Sequence, residues 1–428
     1  MSIWDTYART PGRVVGGETG DVADDHYHRY LEDVAIMREL GLSAYRCSLS
    51  WPRIQPGGRG PANERGLDFY RRLFDALLEE GIEPYPTLFH WDLPQELQDA
   101  GGWPVRDTAY RFAEYAGIVF DALGDRVRHW LTLNEPWCAA FLGYGVGRHA
   151  PGIHDAQQAV AAAHHLMLAH GLAVSRLRAS RPGAEIGIVL NVEPHLAASD
   201  SPEDVAAAAL ADGMHNRIFL EPVLRGRYPA DLVDHLAARI DLGHIQDDDL
   251  EVISAPLDVL GVNFYRPTLI AARSEPAPEG WSAWPGDELI EAVPQEREHT
   301  AMGWPVVPEA FGDLLLRLGT EYRGLPMIVT ENGAAYADRL EGGVVRDTDR
   351  IAYLDRHLRA LHGALEAGVD VRGYFVWSLL DNFEWAEGYG KRFGLVYIDY
   401  ETLERIPKAS ARWYARVIGR NALAEDDA

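Results

Sequence analysis

The 428-residue sequence is short of thiols and of positive charge. Two cysteines, Cys47 and Cys138, lie far apart in separate apolar stretches. That excludes a disulfide-stapled scaffold and reads as two buried, reduced thiols. Forty basic residues face 65 acidic ones, a net charge of −25, and all but Lys391 and Lys408 of the basic set are arginine. Such a surface repels phosphate backbones, so nucleic acid is excluded as a partner. No run of 18 apolar residues occurs; the best stretch, Ala159 to Val174, is interrupted by His164, His165 and His170, so no membrane span is expected. The opening Met-Ser-Ile-Trp-Asp has neither a basic n-region nor an apolar h-region, and the expected location is the cytoplasm. No His/Asp/Glu set has metal-ligand spacing and no Gly-rich dinucleotide fingerprint follows an early strand, so neither metal nor cofactor is expected.

What is present is an ordinary globular balance, 47% hydrophobic and 25% charged, which excludes wholesale disorder. Strand-like runs recur at Ser43–Trp51, Glu83–Asp92, Val127–Pro136, Glu185–Pro194, Leu257–Tyr265, Pro326–Gly333 and Val371–Asp381. Amphipathic helical patterns separate them, at Asp24–Leu40, Gly66–Glu80, Thr108–Leu123, Asp155–Ser180, Pro308–Tyr322 and Thr348–Ala367. Strict alternation implies parallel strands joined by crossover helices. Without a Ser/Gly linker the chain reads as one α/β domain over 1–428, a (β/α)8 TIM barrel. Only seven strands are legible, so the barrel is expected to be incomplete, its first strand missing. The stretch 271–308, rich in Pro, Glu and Trp, reads as an irregular loop insertion.

In such barrels chemistry sits at the C-terminal strand ends. Those ends carry Arg46 and Trp51, His90 and Trp91, Asn134 and Glu135, Asn191, Asn263 and Tyr265, Glu331 and Asn332, and Trp377. A carboxylate at a buried strand end is unfavourable unless it is used or paired. Taken alone, Glu135 could be a structural acid paired with an arginine. Two carboxylates, Glu135 and Glu331, facing one mouth among tryptophans suit glycosidic-bond cleavage, with indoles stacking on sugar rings.

Five strings carry a family likeness: Thr132-Leu133-Asn134-Glu135-Pro136, Val329-Thr330-Glu331-Asn332-Gly333, Tyr45 to Trp51, Leu88 to Pro94, and Trp377 to Trp385. Together they resemble glycoside hydrolase family 1, the β-glucosidase family, over nearly the whole chain. The resemblance implies retaining hydrolysis of a small-molecule β-glycoside, with Glu331 as nucleophile and Glu135 as general acid and then base. Arg46 and Tyr265 would support the nucleophile. His90, Trp91, Asn134, Asn263, Trp377, Glu384 and Trp385 would bind the glycone, and Trp304 would form the aglycone platform. Family members that take 6-phosphorylated glycosides carry a small residue and basic groups where this chain has Glu384, so unphosphorylated β-glucosides are expected, with β-galactosides and β-fucosides as alternatives. Transglycosylation, or a weakly active or inactive sugar-binding remnant, are the other readings.

The chain departs from the family at its start. The usual first strand, ending in a glutamine that grips the sugar, has no counterpart, and Cys47 replaces a common bulky aromatic. Two expectations follow. The sheet should be open at one seam, with a homo-oligomer as one way to cover it. Losing a neutral hydrogen-bond pair to the sugar should cost about 0.5–1.5 kcal/mol, several-fold in kcat/KM.

Overall fold

A computed structural model describes residues 1–278 and 282–424. All seven expected strands form one parallel sheet: β1 (Ala44–Ser48), β2 (Glu83–Phe89), β3 (His129–Asn134), β4 (Glu185–Asn191), β5 (Val259–Asn263), β6 (Met327–Asn332) and β7 (Val371–Val376). They are ordered in space as in the sequence, with every neighbouring pair parallel. That is the near-closed sheet of a TIM barrel, and the helical patterns supply its outer layer. Helix α1 (Ile3–Ala8) precedes α2 (His26–Glu39), α3 (Glu64–Glu79), α4 (Asp107–Leu123), α5 (Ala156–Ser180), α6 (Pro308–Glu321) and α7 (Thr348–Glu366). Ser2 and Asp5 form a reciprocal capping box on α1, satisfying two otherwise unpaired N–H groups. Asp155 caps α5 through the Gln158 N–H.

Two regions differ from expectation. Between β4 and β5 the chain forms helices at Pro202–Asp212, Ile218–Arg225 and Ala230–Ala237, which the alanine-rich sequence did not resolve as separate elements. The stretch 271–308 is not wholly irregular. Thr268–Ala272 pairs with Ile290–Val293 antiparallel and with His195–Ala197 parallel in a small separate sheet. Residues 279–281 of that stretch, like 425–428, lie outside the described residues.

The seam is where the count placed it. Strands β1 and β7 end the sheet, and among the described residues no strand lies between them. The central strands β3, β5 and β6 are buried almost throughout, whereas β1 and β7 are only half-buried. Between the two edges runs a cavity of about 870 Å³ lined by residues 44–48 and 372–377. It reaches His90 and Trp377 at the upper end. The chain start sits beside that end: the Ile3 N–H donates to the Leu93 carbonyl at 2.8 Å, and the Trp4 ring lies 4.5 Å from that of Trp385. No helix among the described residues is long and apolar enough to cross a membrane.

Candidate active site

The strand ends deliver the predicted residues to one network. Glu331, the fifth residue of β6, is 3% exposed. Its Oε1 accepts from Arg46 Nη1 at 2.7 Å, and its Oε2 accepts from the Tyr265 hydroxyl at 2.5 Å. Both oxygens therefore hold strong donors, one of them cationic. Glu135, just past β3, is 6% exposed and differently supplied. Asn263 Nδ2 donates to its Oε1 at 2.8 Å, and the Cys138 thiol to its Oε2 at 3.3 Å. Among the described residues no cation is hydrogen-bonded or ion-paired to it.

Asn134 ties the two halves together. Its Oδ1 accepts from Arg46 Nη2 at 2.6 Å and from Asn263 Nδ2 at 3.1 Å, while its Nδ2 donates to His90 Nε2 at 3.1 Å. Two donors on one side and an imidazole nitrogen on the other fix the orientation of the amide. Asn263 is in turn held by Thr330, whose hydroxyl donates to Asn263 Oδ1 at 2.6 Å. Burial, and then the Arg46 charge, hold His90 well below the usual imidazole range. It is therefore neutral and can accept on Nε2.

The aromatic wall forms around this network. The His90 ring is 5.9 Å from both the Trp377 and Trp385 rings, nearly parallel to each. Glu384 stands close to Trp377. Trp304 lies 5.1 Å from Tyr265, with the Arg266 guanidinium 5.7 Å from its ring centroid. Trp91 differs from the other tryptophans of the set. Its indole N–H already donates to the Asn134 carbonyl at 2.9 Å. That bond holds the Asn134 backbone.

Three of these residues have left-handed backbones: Glu135 at φ 46°, Trp91 at 79° and Trp385 at 48°. Non-glycine residues there cost about 1–3 kcal/mol each, and these three account for three of the seven such positions among the described residues. Gly333 is required for a different reason. A Cβ there would sit 1.9 Å from the Trp377 carbonyl oxygen, so the close approach of Trp377 to β6 depends on that glycine. Asn332, inside the same motif, does not join the network. It bridges Phe264 O, the Tyr353 hydroxyl and the Tyr374 hydroxyl behind the strand.

Burial, reinforced by the nearby Glu331 charge, pushes the Glu135 carboxyl up to about 8. It is thus protonated at neutral pH, as a general acid requires. Glu384 is also pushed up to about 8, by burial first and by Glu331 second. Glu384 is therefore mainly a neutral carboxyl at neutral pH. The pH dependence follows in sign. The proton-donating form of Glu135 is lost above about pH 8, so kcat/KM on an aryl β-glucoside should fall about tenfold per pH unit beyond that point. A rate profile between pH 6 and 10 reads this directly, and a flat profile to pH 9.5 contradicts it.

Sequence reasoning missed two contributors. Thr330 stood inside a recognised motif without an assigned role. Cys138 read only as a buried thiol, although its position three residues after Glu135, at the start of the helical turn Cys138–Gly145, was the signal. Among the described residues no group of three or more His, Cys, Asp or Glu side chains could hold a metal.

A parallel barrel sheet presenting two buried carboxyl groups, unequally partnered and walled by indoles, is the architecture of a glycoside-cleaving enzyme. The family model described as glycosyl hydrolase family 1 matches residues 1–423, and the chain belongs to that family. It is 52% identical to the thermostable beta-glucosidase B of Thermobispora bispora, over 98% of this chain and 86% of that protein. It is 48% identical to the bifunctional beta-D-glucosidase/beta-D-fucosidase of Bifidobacterium breve, over 97% of this chain and 92% of that one. The crystal structure of the psychrophilic beta-glucosidase of Micrococcus antarcticus superposes with a TM-score of 0.95 at 48% identity, over 99% of this chain and 92% of that one.

Proposed function

We propose that the protein is a retaining, exo-acting β-glucosidase in which Glu331 attacks and Glu135 moves the proton. The observation that carries this is the unequal partnering of the two carboxyls. Arg46 and Tyr265 bond Glu331, while Glu135 is kept protonated by burial and by Glu331 itself. In the first half-reaction a Glu331 oxygen bonds to the anomeric carbon, and the glycosidic C–O bond breaks. The leaving oxygen takes the Glu135 proton. In the second, Glu135 accepts a proton from water, the water oxygen bonds to the anomeric carbon, and Glu331 leaves. Each displacement inverts, so the product retains its configuration. Esterifying Glu331 removes the charge that raised Glu135, which makes Glu135 a readier base for the second step.

His90, Asn134, Glu384 and Trp385 are proposed to hold the glycone hydroxyls, Trp377 to stack on the ring, and Trp304 to receive the aglycone. Proton NMR of aryl β-glucoside hydrolysis, which releases glucose only from the glycone, tests the reading: β-glucose should appear first and mutarotate later. First-formed α-glucose, or no cleavage of any unphosphorylated β-glucoside, would overturn it. Acting on cellobiose would place the enzyme at the end of cellulose degradation. The two unpaired thiols fit a reducing compartment, which supports the cytoplasm.

The open seam supports a homo-oligomer, since a second copy could cover the half-buried edges of β1 and β7. Light scattering at micromolar concentration should then give at least twice the chain mass of 47.6 kDa. A clean monomer retires that part.

A further inference from the structure

We infer that Cys138 is a positioning residue for Glu135, its thiol supporting the carboxylate form that activates water in the second half-reaction. The inference rests on the roles just proposed for Glu135 and Glu331. Its basis is a directed chain of contacts. Asn191 Nδ2 donates to Cys138 Sγ at 3.7 Å, and the thiol donates to Glu135 Oε2 at 3.3 Å. An N–H seated on the sulfur lone pair leaves the S–H pointing to the carboxyl. Asn191 is itself held, with Nδ2 3.1 Å from His215 Nε2, and His215 stacks on Trp137 with ring centroids 4.3 Å apart. The backbone sets the distance: the Cys138 N–H donates to the Glu135 carbonyl at 3.0 Å, so the sulfur returns over its own first turn onto the carboxyl.

The groups facing this carboxyl decide when the thiol matters. Glu331, Arg46 and Tyr265 face Glu135 across the mouth; Glu193 faces Cys138, with His195 and His215 beside that carboxylate. In the free enzyme, burial and the Glu331 charge outweigh two donors, and Glu135 keeps its proton. Once Glu331 is esterified its charge is gone, and only burial opposes the Asn263 and Cys138 donors. Removing a donor then weighs most on the base step. Cys138 itself remains a thiol, held well above the usual range by burial and by Glu135.

The test separates the two half-reactions. A dinitrophenyl β-glucoside makes glycosylation fast, so kcat reports the base step and kcat/KM the first step. Cys138→Ala should lower kcat on that substrate about three- to tenfold with KM falling in parallel, leaving kcat/KM within about twofold, and on cellobiose, whose leaving oxygen needs the Glu135 proton, it should move the basic limb of kcat/KM upward. Cys138→Ser, which keeps a donor of similar size, should recover kcat to within about twofold and hold or lower the limb. An equal fall in kcat and kcat/KM with an unmoved limb overturns the inference, as does a serine variant no better than alanine. Should the alanine variant fail to fold, the serine variant decides alone: an upward limb shift in it is the overturning result. Azide rescue of Glu135→Ala, read as glucosyl azide formation, reports separately on the role of Glu135.

Discussion

Glu331→Gln should lower kcat/KM on an aryl β-glucoside by at least about ten-thousand-fold, because a neutral amide cannot form the ester on which both half-reactions depend. The substitution is close to isosteric, so Tyr265 and the Asn134 network can stay in place while the charge disappears. A second consequence distinguishes this loss from unfolding. Glu135 and Glu384 each owe part of their raised acidity range to the Glu331 charge. In the variant both should titrate lower than about 8, which carbon-13 NMR of labelled glutamates can follow. Burial is the larger cause for both, so the shift should be partial and should not return either group to ordinary carboxyl behaviour. Activity within a hundredfold of the parent enzyme would show that Glu331 is not the nucleophile. Unchanged titration of Glu135 would show that the two carboxyls do not face each other.

Glu135→Ala should produce a different pattern, one that depends on the leaving group. A dinitrophenolate departs without a proton, so the first half-reaction survives and the ester accumulates for want of a base. Turnover should fall about 10²–10⁴-fold, the range of general acid–base contributions. With cellobiose, whose leaving oxygen needs the proton, the first step should fail as well and the loss should be larger. Azide should restore turnover on the activated substrate, since it is already anionic and fits the space the side chain vacates. The product should be β-glucosyl azide, which thin-layer chromatography and NMR identify. Equal losses on both substrates with no azide effect would remove Glu135 from the proton-transfer role.

The fold was largely legible because each unit writes its own period into the chain. Apolar runs such as Ile186 to Leu190 are buried on both faces, as parallel strands between helices must be, and α3 and α4 show the 3.6-residue spacing of one buried stripe. The seam was legible too, as a strand count of seven. The stretch 271–308 was less so, since pairing of Thr268–Ala272 with Ile290–Val293 is a long-range choice that no local pattern announces. In the site, motif strings named the reacting pair and its sugar-facing companions. They did not show that Trp91 spends its indole N–H on Asn134 or that Asn332 turns away behind β6, because a strand-end position does not specify where a side chain finds its hydrogen bond.

Residue order alone determined the barrel alternation, the two carboxyls and the aromatic company they keep, since these follow from period and from residue type. The tertiary structure decided the division of labour. Only packing brings Arg46 from β1 onto Glu331 of β6 and leaves Glu135, just past β3, with neutral donors, and this unequal partnering of two buried carboxyls makes one an acid and leaves the other to attack. Protonation depends on desolvation and on neighbouring charge, and both are properties of assembled space that residues nearly 200 positions apart do not possess until the chain is folded.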